Sequence, residues 1–367
     1  MNSYIVLGLM SGTSMDGLDC CLSRIEIDET YKFKYEIIDF QTFDYSKITK
    51  NIINEALTCN KKKVVIANQH LGKLFLQISK KFIKNKKVDL IGSHGQTIFH
   101  KDKVRSIQIG TPYLLKKYFK IPIIYNFREK DILNGGNGAP LVPFLDWLLF
   151  NKEKNDTILI NIGGISNISY IKKNNSKDKV IGFDVGPGMC LIDQFCNYTW
   201  KEDLDYNAQF SSKGNTNKIL LNELMKHSMI KKKYPKSMSR EDFNIIILLK
   251  LLKNKEISDY DIIRTLVSFS IEAIVYNINK YIKFNSKTNL VISGGGLKHK
   301  LLINELKNRL KLNYVDLFKK KKIHPDCKEA FLMGVMAVSN QINLPSNMKR
   351  VTGSKKDIVL GEKYEYK

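Results

Sequence analysis

The chain has 367 residues, of which 43 % are hydrophobic and 26 % charged, with a formal charge of +24. These proportions exclude a disordered, collagen-like or disulfide-scaffold protein and fit about two globular domains. The opening run Ile5–Met10 predicts a strand that ends in the turn composition Ser11-Gly12-Thr13-Ser14. Leu18–Ile27 and Tyr31–Phe43 add two more strands, so the chain begins with a meander. Helical patterns follow at 46–58 and 63–85, the second with Leu71, Leu74, Phe75 and Ile78 at helical spacing. Val88–Gly92 reads as a short buried strand running into the glycine-rich stretch Gly92-Ser93-His94-Gly95-Gln96-Thr97.

Leu133–Pro140 (LNGGNGAP) is the strongest punctuation in the chain and places a domain boundary. One domain is expected over 1–135 with the tail from about 345 to 367, the other over 136–344. In the second, strands are expected at Thr157–Ile162, Asn167–Ile171, Val180–Phe183 and Leu290–Ser293. Three of them end at Gly163-Gly164, at Asp184–Gly188 and at Gly294–Gly296. Helices are expected at about 189–198, 216–228, 241–253, 258–283 and 327–340. No fixed period aligns the halves. What repeats is a grammar of strands, glycine turn and helices, and a cleft between two such units is where a ligand is expected.

The charge invites a nucleic-acid reading, but only seven of the sixty basic residues are Arg. Base-reading and bidentate phosphate surfaces favour Arg, whereas here Lys is scattered in short runs such as Lys61–Lys63 and Lys319–Lys322. The charge is therefore read as solvated faces, with no specific nucleic-acid partner. The six cysteines form no C-x-x-C pair, which fits a reduced, cytoplasmic chain. Tyr4–Met10 is too short an apolar run for a secretory signal, and no run approaches the roughly 18 residues that span a bilayer, so no membrane association is expected.

Glycine lets a ligand approach the backbone, and exposed amides in such turns make concave anion sites. The segment Gly8–Asp19 adds hydroxyls on Ser11, Thr13 and Ser14 and carboxylates on Asp16 and Asp19, groups suited to phosphate oxygens and to magnesium held through water. Gly182–Gly188 carries the carboxylate of Asp184, and Ser293–Gly296 precedes a helix whose N-terminus suits an anion or nucleotide. Neither a Walker A motif nor a Rossmann fingerprint is present.

The order of these turns resembles the actin/hexokinase/Hsp70 ATPase superfamily, and the whole chain resembles the anhydro-N-acetylmuramic acid kinase family. The resemblance is carried by GLMSGTSMDGLD (8–19), GSHGQTIFH (92–100), FREKDILNGGNGAPLVP (127–143), NIGGISNIS (161–169) and GFDVGPGM (182–189). PKS (235–237) with REDF (240–243), SGGG (293–296), EAFLMG (329–334) and VTG (351–353) complete it. It implies an α/β protein of two actin-like ATPase (ribonuclease H-like) domains flanking an interdomain ATP/sugar cleft. It implies an enzyme that uses ATP and Mg2+ to open the 1,6-anhydro ring of anhydro-N-acetylmuramic acid with water and phosphorylate O6, in peptidoglycan recycling. A homodimer acting on a small sugar is implied as well.

The same resemblance assigns roles. Asp184 would be the catalytic base, which also suits an acetal opening through an oxocarbenium-like transition state, and Glu329 would orient water or sugar. Gly12, Thr13, Ser14, Met15, Asp16, Gly17, Leu18 and Asp19 would form the phosphate hairpin, with Asp16 at the metal. Gly186 and Gly188 would form a second phosphate turn, and Gly294, Gly295 and Gly296 would lie against adenosine. His94, Gln96, Thr97, Arg128, Gly163, Gly164 and Asn167 would meet the sugar. The chain departs from the family pattern where Ala208 stands for a glycine, Phe210 for a tryptophan and His299 for an asparagine. Lys236 and Ser237 match but carry no assigned role. The competing expectations are a kinase for another anhydro sugar such as levoglucosan, and a non-metabolic actin-like or chaperone-like ATPase.

Overall fold

A computed structural model describes residues 2–12, 15–253 and 255–365. It divides into two units, Met1–Leu149 with Lys321–Lys367, and Phe150–Lys320.

Unit 1 is built on β1 (Ser3–Ser11), β2 (Gly17–Ile27), β3 (Phe33–Asp44), β4 (Leu90–Lys101), β5 (Arg105–Ile109) and β6 (Ile123–Tyr125). The sheet order is β6-β4-β1-β2-β3, with β5 paired to β4. The meander β1-β2-β3 is antiparallel, whereas β4 runs parallel to β1 and β6 parallel to β4. The tail supplies a two-residue strand, Glu362–Lys363, antiparallel to β6. Central strand β1 is buried on both faces over most of its length, as suits a strand covered by helices on each side. Leu7 and Leu9 face the helices Lys47–Ala56 and Lys61–Ile83 through Ile53, Leu71 and Phe75.

The alternate residues face the helix Lys328–Gln341. Gly8 and Gly92 sit side by side on β1 and β4. A Cβ on Gly8 would lie 1.9 Å from the carbonyl oxygen of Ala330, and one on Gly92 would lie 2.2 Å from that of Met333. The two glycines thus let the helix backbone rest directly on the sheet, and this contact fixes the 328–341 helix in unit 1. That corrects the boundaries expected from sequence, which placed 136–149 and 321–344 in the second domain. LNGGNGAP is not a linker but a pinned loop. Buried Asp131 accepts from the Gly138 amide at 2.8 Å and from Thr352 Oγ1 at 2.9 Å, while the Asn137 amide donates to the Thr352 carbonyl.

Unit 2 repeats the plan. Its strands are β7 (Thr157–Ile162), β8 (Ile165–Ile171), β9 (Ile181–Pro187), β10 (Asn289–Ser293) and β11 (Asn313–Tyr314), in the order β9-β8-β7-β10-β11. β7-β8-β9 is again an antiparallel meander, with β10 parallel to β7 and β11 parallel to β10. The 23-residue helix Asp259–Tyr281 runs through its core, burying Ile263, Val267, Ile274 and Ile278. Both units are therefore ribonuclease H-like α/β sheets of one strand order. Two expected turns prove to be strand: Gly92–Thr97 lies within β4, and Asp184 and Gly186 lie within β9. These glycines relieve close packing along buried strands rather than ending them. No helix among the described residues is long and apolar enough to cross a membrane.

Candidate active site

In unit 1 the β1–β2 hairpin is tied to β4 by Gln96. The Gln96 amide nitrogen donates to the carbonyls of Gly12 (3.1 Å) and Thr97 (3.2 Å), and its oxygen accepts from Ser11 Oγ at 2.6 Å. Ser11 has one proton to give, so the Tyr45 hydroxyl at 2.7 Å donates to it. The Met15 amide closes onto the Gly12 carbonyl, and the Asp16 carbonyl accepts from the Tyr45 amide. Thr13 and Ser14 lie outside the described residues. Leu18 packs into the unit 1 core, and Gly17 leaves room for the Phe43 carbonyl. The Asp16 carboxylate is exposed and lies 3.9 Å from Lys50 Nζ. Asp19 accepts from Thr42 Oγ1 at 2.5 Å, yet burial, with Glu329, Asp326 and Asp16 nearby, pushes its carboxyl up to about 6. No group of three or more His, Cys, Asp or Glu able to hold a metal occurs among the described residues.

A second cluster in unit 1 centres on Arg128. Its Nε donates to His94 Nε2 at 3.0 Å and its Nη1 to the Gly138 carbonyl at 2.8 Å. His94 must then carry its proton on Nδ1, which lies 2.9 Å from the Gly95 carbonyl. Burial first and Arg128 second hold the imidazole down to about 3. His94 is thus a neutral brace for Arg128 rather than a proton carrier. Glu329 stands in the first turn of the 328–341 helix, where burial raises its carboxyl above the usual range against the opposing pull of Arg128 and Lys328. The start of that helix is fixed by a buried ion pair, Lys328 to Asp146 at 2.6 Å. Thr97 Oγ1 accepts from Gln108 at 3.2 Å.

In unit 2 the strand registers align Ser293, Asn161, Asn167 and Asp184 across β10, β7, β8 and β9. Residues directly opposite one another share a face, so a polar row crosses the sheet, with Ser293 Oγ donating to Asn161 Oδ1 at 3.2 Å. Asp184 is only 8 % exposed. The Met238 amide donates to its Oδ2 at 2.8 Å, and the Asp184 amide donates to the Lys236 carbonyl. The 236–238 segment thus grips the carboxylate from above the strand. Asn161 escaped the sequence reading; its only signal was the pair of asparagines that bracket NIGGISN.

The glycines of this unit divide by cause. Gly186 accommodates Ala273, and Gly188 accommodates the Gly163 carbonyl, so packing against protein accounts for both. Gly294, at φ +89°, and Gly296 press against Ile162, whereas a Cβ on Gly295 would meet nothing within 4 Å. That leaves the backbone of Gly295 open to a ligand. Gly163 sits in the β7–β8 turn and is nearly as open.

Two of the three departures from the family pattern are absorbed locally, whereas Ala208 keeps the left-handed backbone, at φ +61°, that favours glycine. Phe210 stacks on Trp200 at 4.1 Å, with the rings nearly parallel. His299 Nδ1 accepts from the Leu302 amide, capping the helix Lys300–Leu310, while Nε2 donates to buried Asp205 at 3.1 Å. Burial pushes Asp205 up, but His299, Ser211 and the Phe210 amide outweigh it and leave the carboxyl below its usual range.

Two ribonuclease H-like units with paired hairpins and buried carboxylates define a two-domain kinase fold of the actin-like type. A family model described as anhydro-N-acetylmuramic acid kinase matches residues 4–366. Proteins named anhydro-N-acetylmuramic acid kinase are similar over almost all of the chain. That of Bacillus thuringiensis subsp. konkukian (strain 97-27) is 35 % identical, covering 98 % of each chain. That of Bacillus anthracis is 34 % identical, covering 97 % of this chain and 98 % of its own. Among solved structures, a ROK family glucokinase from Streptomyces griseus in complex with glucose and AMPPNP aligns at a TM-score of 0.41 with 10 % identity, covering 91 % of this chain and 99 % of its own. The chain belongs to the anhydro-N-acetylmuramic acid kinase family, and it is an enzyme.

Proposed function

We propose that this kinase opens the 1,6-anhydro ring of anhydro-N-acetylmuramic acid with water and transfers the γ-phosphoryl group of ATP to O6. The products are N-acetylmuramate 6-phosphate and ADP. The observation that carries this reading is the carboxylate of Asp184, buried on β9, oriented by the Met238 amide and aligned with Asn167. Asp184 takes a proton from water, and the water oxygen bonds to C1 as the C1–O6 bond breaks. O6 then bonds to the γ-phosphorus as the bond to ADP breaks, and the proton on Asp184 passes to solvent. Glu329, with its carboxyl raised by burial, orients the sugar, and Arg128, held by His94, offers its cation to the lactyl carboxylate.

The backbone of the β1–β2 hairpin cradles the triphosphate, and the open Gly295 receives adenosine. Asp16 and Asp19 would hold Mg2+ through water, and the ion would supply neutralisation of phosphate charge. The cytoplasmic location, the homodimer and a place in peptidoglycan recycling belong to the same reading.

The test is mass spectrometry of the product formed from ATP, magnesium and the anhydro sugar in heavy-oxygen water. The expected product gains one water and one phosphoryl group, with label at C1 and none in the phosphate. Label in phosphate would reduce the activity to ATP hydrolysis, and preferred turnover of levoglucosan would replace the substrate.

A further inference from the structure

In unit 1 the C-terminal segment and the LNGGNGAP loop meet on a carboxylate that the reaction above does not use. Arg128 stands at the N-cap of the helix Glu129–Leu133, and Asp131 follows within its first turn, wholly buried. Asp131 Oδ2 accepts from the Gly138 amide at 2.8 Å and Oδ1 from Thr352 Oγ1 at 2.9 Å, and the Asn347 side chain adds a third hydrogen bond. The loop is moulded round this carboxylate: a Cβ on Gly136 would lie 2.1 Å from Oδ2. Thr352 grips the loop a second time, since its carbonyl accepts from the Asn137 amide at 2.8 Å.

A buried carboxylate is costly unless its oxygens are satisfied, so fixed donors on both oxygens hold it in one place. Burial pushes the Asp131 carboxyl above its usual range, while the Gly138 amide, Thr352, Asn347 and Arg128 pull against it. Gly138 passes the constraint on. Its amide donates to Asp131, and its carbonyl accepts from Arg128 Nη1 at 2.8 Å, so the backbone of one residue links carboxylate to guanidinium. Arg128 is thus held at Nη1 by the loop and at Nε by His94.

We propose that Asp131 is a positioning residue that aims Arg128 through Gly138, and that Thr352 makes the C-terminal segment part of the same support. This rests on the reading above in which Arg128 meets the lactyl carboxylate of the sugar. A site built to pair a substrate's polar group rejects an analogue that lacks it. The support therefore shows as discrimination between sugars and not only as stability. The competing role for Asp131 is a pin that merely fastens the tail to the loop.

The experiment measures kcat/KM for anhydro-N-acetylmuramic acid and for the same anhydro sugar without its lactyl ether, with the KM for ATP and the melting temperature alongside. The full-length protein is compared with its Asp131→Asn, Thr352→Val, Thr352→Ser and Arg128→Met variants. The wild type should prefer the sugar that carries the carboxylate. Asp131→Asn should cut that preference by about tenfold or more, as for one misplaced charge-assisted pair, and leave the KM for ATP unchanged. Thr352→Val should cut it by less, and Thr352→Ser, which keeps the hydroxyl, should restore it. An unchanged preference in Asp131→Asn overturns the inference, whether or not the melting temperature falls. So does an equal loss of activity on both sugars. If Asp131→Asn does not fold, Thr352→Val set against Thr352→Ser decides by the same ratio. A wild type indifferent to the lactyl group, or an Arg128→Met variant that keeps the wild-type preference, would instead defeat the reading of Arg128 itself.

Discussion

A buried ammonium is tolerated only when its protons find acceptors, and Lys236 meets that condition. It is 1 % exposed and donates to the carbonyls of Met229 and Ile230 and to Asn277 Oδ1, each at 3.0 Å. Asn277 in turn donates to the carbonyl of Val185, next to Asp184. Burial still holds the amine down to about 8, against the opposing pull of Asp184. Lys236 is therefore a positioning residue that anchors the segment whose amide holds the Asp184 carboxylate. Replacing it with Met should lower kcat about tenfold or more and leave the KM for ATP unchanged. Because the amine is depressed in the folded state, its contribution to stability improves as pH rises from about 8 towards its unfolded value. Melting curves of Lys236→Met should lack that rise. A variant with normal kcat and the wild-type pH slope would show Lys236 to be packing alone.

At the scale of elements, the helix Lys328–Gln341 depends on two strand glycines for its seat, and Glu329 rides on its first turn. Gly8→Ala places a methyl group 1.9 Å from the Ala330 carbonyl, so the helix must lift. Such overpacking costs about 1–3 kcal/mol. Urea unfolding should show a loss of that size together with lower turnover, whereas unchanged stability would mean that the helix is free to adjust. This element also marks a limit of the sequence. The pattern at 327–340 announces a helix, but nothing local says which sheet it covers, because that is decided by Gly8 and Gly92, hundreds of residues away. The glycines at 92–97 and 184–188 misled in a related way. Glycine ends a strand or lets a neighbour approach it, and only the packed neighbour tells which.

For the molecule as a whole, the repeat of grammar was legible and the fold confirms it as one strand order in both sheets. The motifs also named the family, which the relatives and the family model bear out. The polar row from Ser293 to Asp184 was not legible, because it exists only through the registers of four strands, one of which, β10, comes about a hundred residues after the other three. Nor was the bracing of Arg128 by His94, since a histidine in sequence does not reveal which nitrogen it offers. The departures at Phe210 and His299 lost their force once Trp200 and Asp205 supplied partners.

The central claim is that Asp184 activates water, and a single-turnover assay of Asp184→Asn with ATP, magnesium and anhydro-N-acetylmuramic acid tests it most directly. Product formation should fall by about a hundredfold or more while ATP affinity is retained. A rate near that of the wild type would contradict the account.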